Sequence, residues 1–330
     1  MRHVIGLDVG GTTMKGAVMD ETGRILDTAV RETGRVGSLE PLLIRMADLV
    51  GELRASSAVS IEAVGVGFPG PFDGKKGVSI HSPNLNLHQL DVRTPLATLI
   101  GLPLAMENDL RTAAWGEAVF GAGKGLRHLA FISIGTGIGL GSIVHGQLLR
   151  GGGGLSGELG HITVPGQTVV CNCGKQGCVE TVASATGIVR IARERLTQAM
   201  HAIPDEAKML PLWQRVSGDP QKITAWDVAE AAQLGDPIAT AVWREVGEVT
   251  GWAISLVLNL FNPQLVVIGG GVSQAGEWLL APVRESVRKH VMKAGQEKTR
   301  IVQSALGADA GMIGAGALAL YSKNSLSIRS

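Results

Sequence analysis

Two stretches about 125 residues apart are built on one plan, and that repetition limits the fold more than any other feature of the chain. Residues 4–8 (VIGLD) pass through the glycine turn VGGTTMK to the apolar run GAVM at 16–19. Later, LAFISI at 129–134, GTGIGLG and SIVHGQLL follow the same order, with Ser133 falling where Asp8 stands in the first copy. Short apolar runs around a glycine turn read as strand, turn, strand. Two such hairpins predict a duplicated domain, each copy offering a turn of backbone N–H groups to an anion.

The segments around the hairpins predict an α/β chain. Residues 39–54 have helical spacing, 61–67 (IEAVGVG) form a strand ending at FPGP, and PLAMEND runs from a short strand into a turn. A helix begins near Asp109 and continues through TAAWGEAVFGAG, and VASATGIVRIARERLTQAM reads as one amphipathic helix with a solvated arginine face. Asp236 and Pro237 are the N-cap and first turn of a long helix that stops before Pro263. LVVIGGGV is a strand entering a glycine turn, and GADAGMIGAGALALYS a small-residue helix able to pack closely. Residues 201–223, with three prolines and mixed polarity, support no assignment. Strands alternating with helices argue for two lobes with a cleft between them, ligands sitting at strand ends.

Composition removes several classes of function. A formal net charge of +1, one tyrosine and five phenylalanines leave neither the field nor the stacking surface for nucleic acid. The N-terminus reaches Asp8 without building the apolar segment of a signal peptide, so export is not expected. Residues 251–276 carry no charge, but Asn259, Asn262, Pro263, Gln264 and three glycines interrupt them, which argues for a buried helix and strand and against a membrane span. The 46 glycines cluster at the ends of apolar runs, where backbone can approach ligands.

Asp8-Val9-Gly10-Gly11-Thr12-Thr13 sets a carboxylate at a strand end before a turn that points amides at an anion, and the carboxylate can hold hydrated magnesium. Gly135-Thr136-Gly137 and Gly269-Gly270-Gly271 are two more such turns. Three of them suit a nucleotide lying between two lobes. Neither GxxxxGK[ST] nor a GxGxxG after a strand occurs, and HExxH and GxSxG are also missing. Glu107-Asn108-Asp109 puts two carboxylates and an amide at a strand-to-helix corner, where Asp109 can take a proton from a hydroxyl and Asn108 can fix the substrate. Helix capping by Asn108 or Asp109 is the competing reading. Pro83-Asn84-Leu85, Glu158-Leu159-Gly160-His161 and Glu180 add polar groups with few cations, the composition a neutral sugar requires.

All three cysteines lie in CNCGKQGC, ten residues beyond His161. His161, Cys171, Cys173 and Cys178 form a ligand set suited to tetrahedral zinc, and a set closed by four protein ligands is structural. Free thiols in a surface loop are the alternative. Three cysteines cannot all pair as disulfides, and unpaired cysteines fit a reducing cytoplasm.

DVGGTTMKGAV, VGVGFPGP, SPNL, ENDLRTAAWGE, SIGTGIG, GELGHI, CNCGKQGCVE, LFNPQLVVIGGGV and GAGA occur in an order that resembles the ROK family of repressors and sugar kinases, from residue 4 to residue 320. The resemblance implies the two-lobed, actin-like (ribonuclease H-like) ATPase fold with a cleft between duplicated domains, divided here into 1–117 plus about 305–330 and 118–304. It implies ATP-dependent phosphorylation of a hexose at the 6-hydroxyl, glucose first, with N-acetylglucosamine, N-acetylmannosamine, mannose or allose as alternatives. Asp109 would be the general base, and Asn84, Asn108, Asp109, Glu158, His161 and Glu180 would contact the sugar. Asp8, Gly10, Gly11, Thr12 and Lys15 would face the γ-phosphate and magnesium, Thr136 and Gly137 the phosphates, and Gly269 and Gly270 the adenosine. His161, Cys171, Cys173 and Cys178 would bind zinc, bracing the loop that presents Glu158 and Glu180. A homodimer or homotetramer is implied too. A sugar-sensing repressor is disfavoured, because the first strand begins by residue 4 and leaves no room ahead of it for a helix-turn-helix. Two departures stand out: Leu110 and Arg111 follow Asp109 where the family's glucokinases often carry a small residue and asparagine, and the 201–223 stretch is long.

Overall fold

The computed structural model describes residues 1–34, 38–82, 85, 87–293 and 299–321. In chain order, β1 (His3–Val9), β2 (Thr13–Asp20) and β3 (Ile25–Glu32) precede α1 (Leu39–Ser56) and β4 (Ala63–Phe68). Next come β5 (Phe72–Asp73), β6 (Val78–Ser82), β7 (Leu87–Asp91), α2 (Arg93–Ile100), β8 (Leu104–Asn108) and α3 (Asp109–Val119). The second hairpin is β9 (Leu129–Ile134) and β10 (Ile138–Val144), followed by β11 (Gln147–Leu148). Helices then dominate: α4 (Glu180–Ala183), α5 (Ala185–Ala202), α6 (Pro204–Lys208), α7 (Pro211–Arg215), α8 (Ala225–Gln233) and α9 (Pro237–Phe261). The chain closes with β12 (Leu265–Gly269), α10 (Glu277–His290), β13 (Arg300–Gln303) and α11 (Ala310–Tyr321).

One sheet has the order β3-β2-β1-β4-β8, and another, β11-β10-β9-β12-β13, repeats that order. The duplication expected from the hairpins is therefore present as strand order, an antiparallel hairpin extended by parallel strands. A third sheet joins β5, β6 and β7. By contact density the chain forms two compact units, one of 1–131, 140–157 and 304–330 and the other of 132–139 and 158–303. The sequence reading draws its division after residue 117 and at about 305.

The first unit's core follows from periodicity. On α1, Leu42, Met46, Leu49 and Leu53 recur at three- and four-residue steps and are buried with Ile5, Leu7, Val64 and Val66 of β1 and β4. The other face of these strands is covered by α11, which also packs on α3. Its small residues permit that approach: a Cβ on Gly65 of β4 would stand 1.7 Å from the Ala315 carbonyl oxygen.

One local expectation is corrected, and one unassigned stretch is resolved. The amphipathic stretch from 182 is two helices, because Ser184 takes an extended conformation and its hydroxyl accepts from the Gly187 N–H at 3.1 Å, starting α5 afresh. Residues 201–223 are helical in short pieces, each opened by one proline: Pro204 starts α6, Pro211 starts α7 and Pro220 a single 3₁₀ turn. As expected, Asp236 caps α9, accepting from the Ala239 N–H at 2.9 Å, and Asn262 ends it in the left-handed region. Among the described residues no helix is long and apolar enough to cross a membrane.

Candidate active site and metal centre

In the first unit, β1 delivers Asp8 to its C-terminal end and the chain then turns back into β2. The Gly10 N–H donates to the Thr13 carbonyl at 2.9 Å, while the Thr33 hydroxyl donates to the Gly10 carbonyl at 2.7 Å. Gly11 and Thr12 at the tip are exposed. Asp8 lies across the hairpin from Lys15. Burial raises its carboxyl above the usual carboxylate range and Lys15 opposes the rise. Gly311 in the first turn of α11 is packed beneath it, since a Cβ there would come 2.4 Å from Asp8 Oδ2.

Asp109 is the first residue of α3, immediately beyond β8, and the capping reading of this corner holds. Asn108 is the N-cap, its Oδ1 accepting from the Arg111 N–H at 3.1 Å, and its Nδ2 donates to the Gly70 carbonyl at 2.9 Å and to Asp109 Oδ1 at 2.7 Å. The Leu110 N–H also reaches Asp109 Oδ1, at 2.9 Å. Among the described residues both of these donors fall on Oδ1. Burial, followed by the charge of Asp8, pushes the Asp109 carboxyl up to about 7, the range of an effective general base at neutral pH.

A buried ion cluster that sequence reasoning missed lies under this corner. Glu107 and Arg111 are 0% and 2% exposed. Glu107 Oε1 accepts from Arg111 Nε at 2.8 Å and from the Asn108 N–H at 2.9 Å, and Oε2 from Arg150 Nε at 2.5 Å. Arg111 also donates to the carbonyls of Phe72 at 2.6 Å and Gly154 at 3.1 Å. The departure from the family pattern at Arg111 is thus one half of an i,i+4 ion pair, a spacing readable in ENDLR. Asn84 lies outside the described residues.

The second unit holds the remaining candidates. Glu158 is exposed and leads into a 3₁₀ turn that carries His161. The ligand atoms of His161, Cys171, Cys173 and Cys178 all lie within 4.8 Å of one another. The Cys173 and Cys178 sulfurs are 3.6 Å apart, and Cys171 Sγ is 3.7 Å from His161 Nδ1. Sulfurs on one tetrahedral zinc, each about 2.3 Å from the metal, stand about 3.8 Å apart, so the four residues fit a metal of this kind. Burial pushes the Cys178 thiol up to about 12 and raises Cys171, while the Lys175 N–H lowers Cys173; a bound cation would convert the two reluctant thiols, Cys171 and Cys178, to thiolates. His161 presents Nδ1 to the sulfurs and Nε2 to Glu158 Oε2, 3.9 Å away.

Thr136 and Gly135 border a cavity of about 350 Å³ in the same unit, which Trp226, Ala229, Gly271 and Gln274 also line. Gly270, at positive φ, packs on the Ile134 carbonyl behind it; a Cβ there would meet that oxygen at 2.4 Å. Trp226 and Gln274 escaped the sequence reading, because the exposure of Trp226 beside the cavity shows only in the folded chain.

A carboxylate whose acidity burial weakens, glycine turns at strand ends and a cavity beside one of those turns are parts that a phosphotransferase of small hydroxylated substrates uses. The chain belongs to the ROK family, which it matches over residues 4–322. It is 36% identical to a glucokinase of Thermotoga maritima, over 96% of each chain, and 36% identical to one of Halalkalibacterium halodurans, over 98% of this chain and 97% of that one. The crystal structure of a ROK glucokinase from Streptomyces griseus with glucose and AMPPNP is 35% identical, with a TM-score of 0.82, over 96% of this chain and 99% of that one. The fold is accordingly the actin-like α/β fold of these sugar kinases.

Proposed function

We propose that this chain is a glucokinase, transferring the γ-phosphoryl group of ATP to the 6-hydroxyl of glucose. The observation that carries the reading is Asp109 at the β8–α3 corner, with its donors gathered on Oδ1 and its carboxyl raised by burial to about 7. Oδ2 takes the 6-hydroxyl proton as that oxygen attacks the γ-phosphorus in line. The bond from this phosphorus to the β,γ-bridging oxygen breaks, and ADP leaves with the electron pair. Asp8 is the residue that would hold magnesium, which when bound neutralises charge on the phosphoryl oxygens.

Gly10, Gly11, Thr12 and Lys15 serve the γ-phosphate, Thr136 and Gly137 the other phosphates, and Gly269 and Gly270 border the adenosine. The cavity beside Trp226 and Gln274 supports this nucleotide assignment, offering a stacking face and an amide for a base. Asn84, Asn108, Glu158, His161 and Glu180 contact the sugar. The four-ligand cluster takes one structural zinc, and the opposed nitrogens of His161 support a ring that meets metal through Nδ1 and substrate through Nε2. Unpaired thiols support a reducing cytoplasm as its compartment, and a homodimer or homotetramer is the assembly proposed.

A coupled ADP-release assay over glucose, mannose, allose, N-acetylglucosamine and N-acetylmannosamine, with ATP or polyphosphate as donor, tests the reading. Glucose with ATP is expected to give the highest kcat/KM. A higher value for an N-acetylhexosamine would move the assignment to that sugar, and no ADP release with any of them would sink it.

A further inference from the structure

Glu180 follows Cys178 by two residues, yet one of its carboxylate oxygens is committed to the glycine turn and not to the metal cluster. Oε2 accepts from the Ile138 N–H at 3.0 Å, and Ile138 is buried at the exit of the Gly135-Thr136-Gly137 turn. The approach is so close that a Cβ on Gly137 would stand 2.7 Å from that oxygen. The entry of the turn is gripped from the same segment, since the Ala185 N–H donates to the Gly135 carbonyl at 2.8 Å. The other oxygen, Oε1, lies 4.0 Å from Cys171 Sγ.

A carboxylate is an odd choice beside a turn meant for phosphates, because its charge lowers the potential that attracts them. An acceptor at this point is nonetheless needed, as a buried N–H without one carries a desolvation penalty. We propose that Glu180 is a positioning residue that ties the Cys3His module to the Gly135–Gly137 turn, so that an ordered metal module is a condition for tight nucleotide binding. This rests on the kinase reading of the turn and adds to Glu180 a role toward the nucleotide, separate from any contact with sugar.

Calorimetric titration of AMPPNP with magnesium, without sugar, separates the two roles. Glu180→Ala removes the acceptor, and its Kd is expected to rise about tenfold. Glu180→Gln keeps an oxygen for the Ile138 N–H and removes the charge, so its Kd is expected to stay within about twofold of the wild type or fall below it. Zinc content, measured on all three proteins, is expected to be equal. Stripping zinc with a chelator should weaken AMPPNP binding in the wild type and add little to the defect of Glu180→Ala. Equal affinity of Glu180→Ala and wild type, an unrescued Glu180→Gln, or loss of zinc from Glu180→Ala would each overturn the positioning role. A wild type that binds no AMPPNP would instead bring down the kinase reading, and this inference with it.

Discussion

Ionising Asp109 works against burial and against the charge of Asp8, and these two forces bring its carboxyl to about 7. Because the base must be deprotonated to act, kcat/KM is expected to fall about tenfold per pH unit below that value and to level off above it. Asp109→Asn keeps the shape and loses the base, so turnover should drop by about 10²- to 10⁴-fold while calorimetry still detects glucose binding. Turnover near the wild-type rate would remove Asp109 from its role. The same shift has a thermodynamic side. A carboxyl raised from 3.8 holds its proton more tightly when folded, so its stabilising contribution is complete below pH 3.8 and is lost as pH rises to about 7. Asp109→Asn should therefore gain more in melting temperature at pH 8 than at pH 5, by about 2 °C, which differential scanning fluorimetry would register. Asp109 was legible in the sequence as a carboxylate at a strand-to-helix corner. Its perturbed acidity was not, because the burial and the neighbour Asp8 come from distant parts of the chain.

The β8–α3 corner shows what an element needs beyond propensity. Glu107, at the end of β8, receives two arginines, one from the adjoining helix α3 and one from the segment after β11, in a place where Glu107 is fully buried. Removing one member of a buried pair strands the other, so Arg111→Met is expected to lower stability by about 3–5 kcal/mol in urea unfolding. The double variant Glu107→Leu/Arg111→Met should cost clearly less than the sum of the single changes. A fully additive result would remove the coupling. The Cys3His cluster makes the opposite case, since its four residues were readable from spacing while its hydrogen bonds were not. Chelating the metal should lower the melting temperature sharply, given roughly 10–16 kcal/mol of apparent binding energy at structural zinc sites in peptides. A metal-free protein with three reactive thiols and unchanged melting would argue against a structural ion. Short helices were the least legible elements: the prolines at 204, 211 and 220 announced breaks, and only their neighbours decided that each break would open a new turn.

At the scale of the whole molecule, the duplication was legible because each copy carries its own hairpin and glycine turn, local features that survive without knowledge of contacts. Partners such as Arg150 for Glu107, or Trp226 for the cavity, depend on contacts across long stretches of chain and could not be read. The C-terminal helix α11 illustrates the same distance on a larger scale. It covers β1 and β4, burying Val4, Met19 and Ala63 with Ile313, Ala319 and Leu320. A chain ended after Ser304 should lose the cooperative melting of the first unit in calorimetry and bind a hydrophobic dye; an unaltered melt would show that α11 is dispensable. That helix also sets an order of events during synthesis. At about 5–20 residues per second, the β1–β2 hairpin leaves the ribosome roughly 15–60 s before the residues that cover it exist. Through that interval the earliest-made sheet has an open apolar face, whereas every residue of the second unit precedes α11. The half of the protein that begins first is the half that finishes last, and its exposed sheet is where a chaperone would be expected to hold the nascent chain.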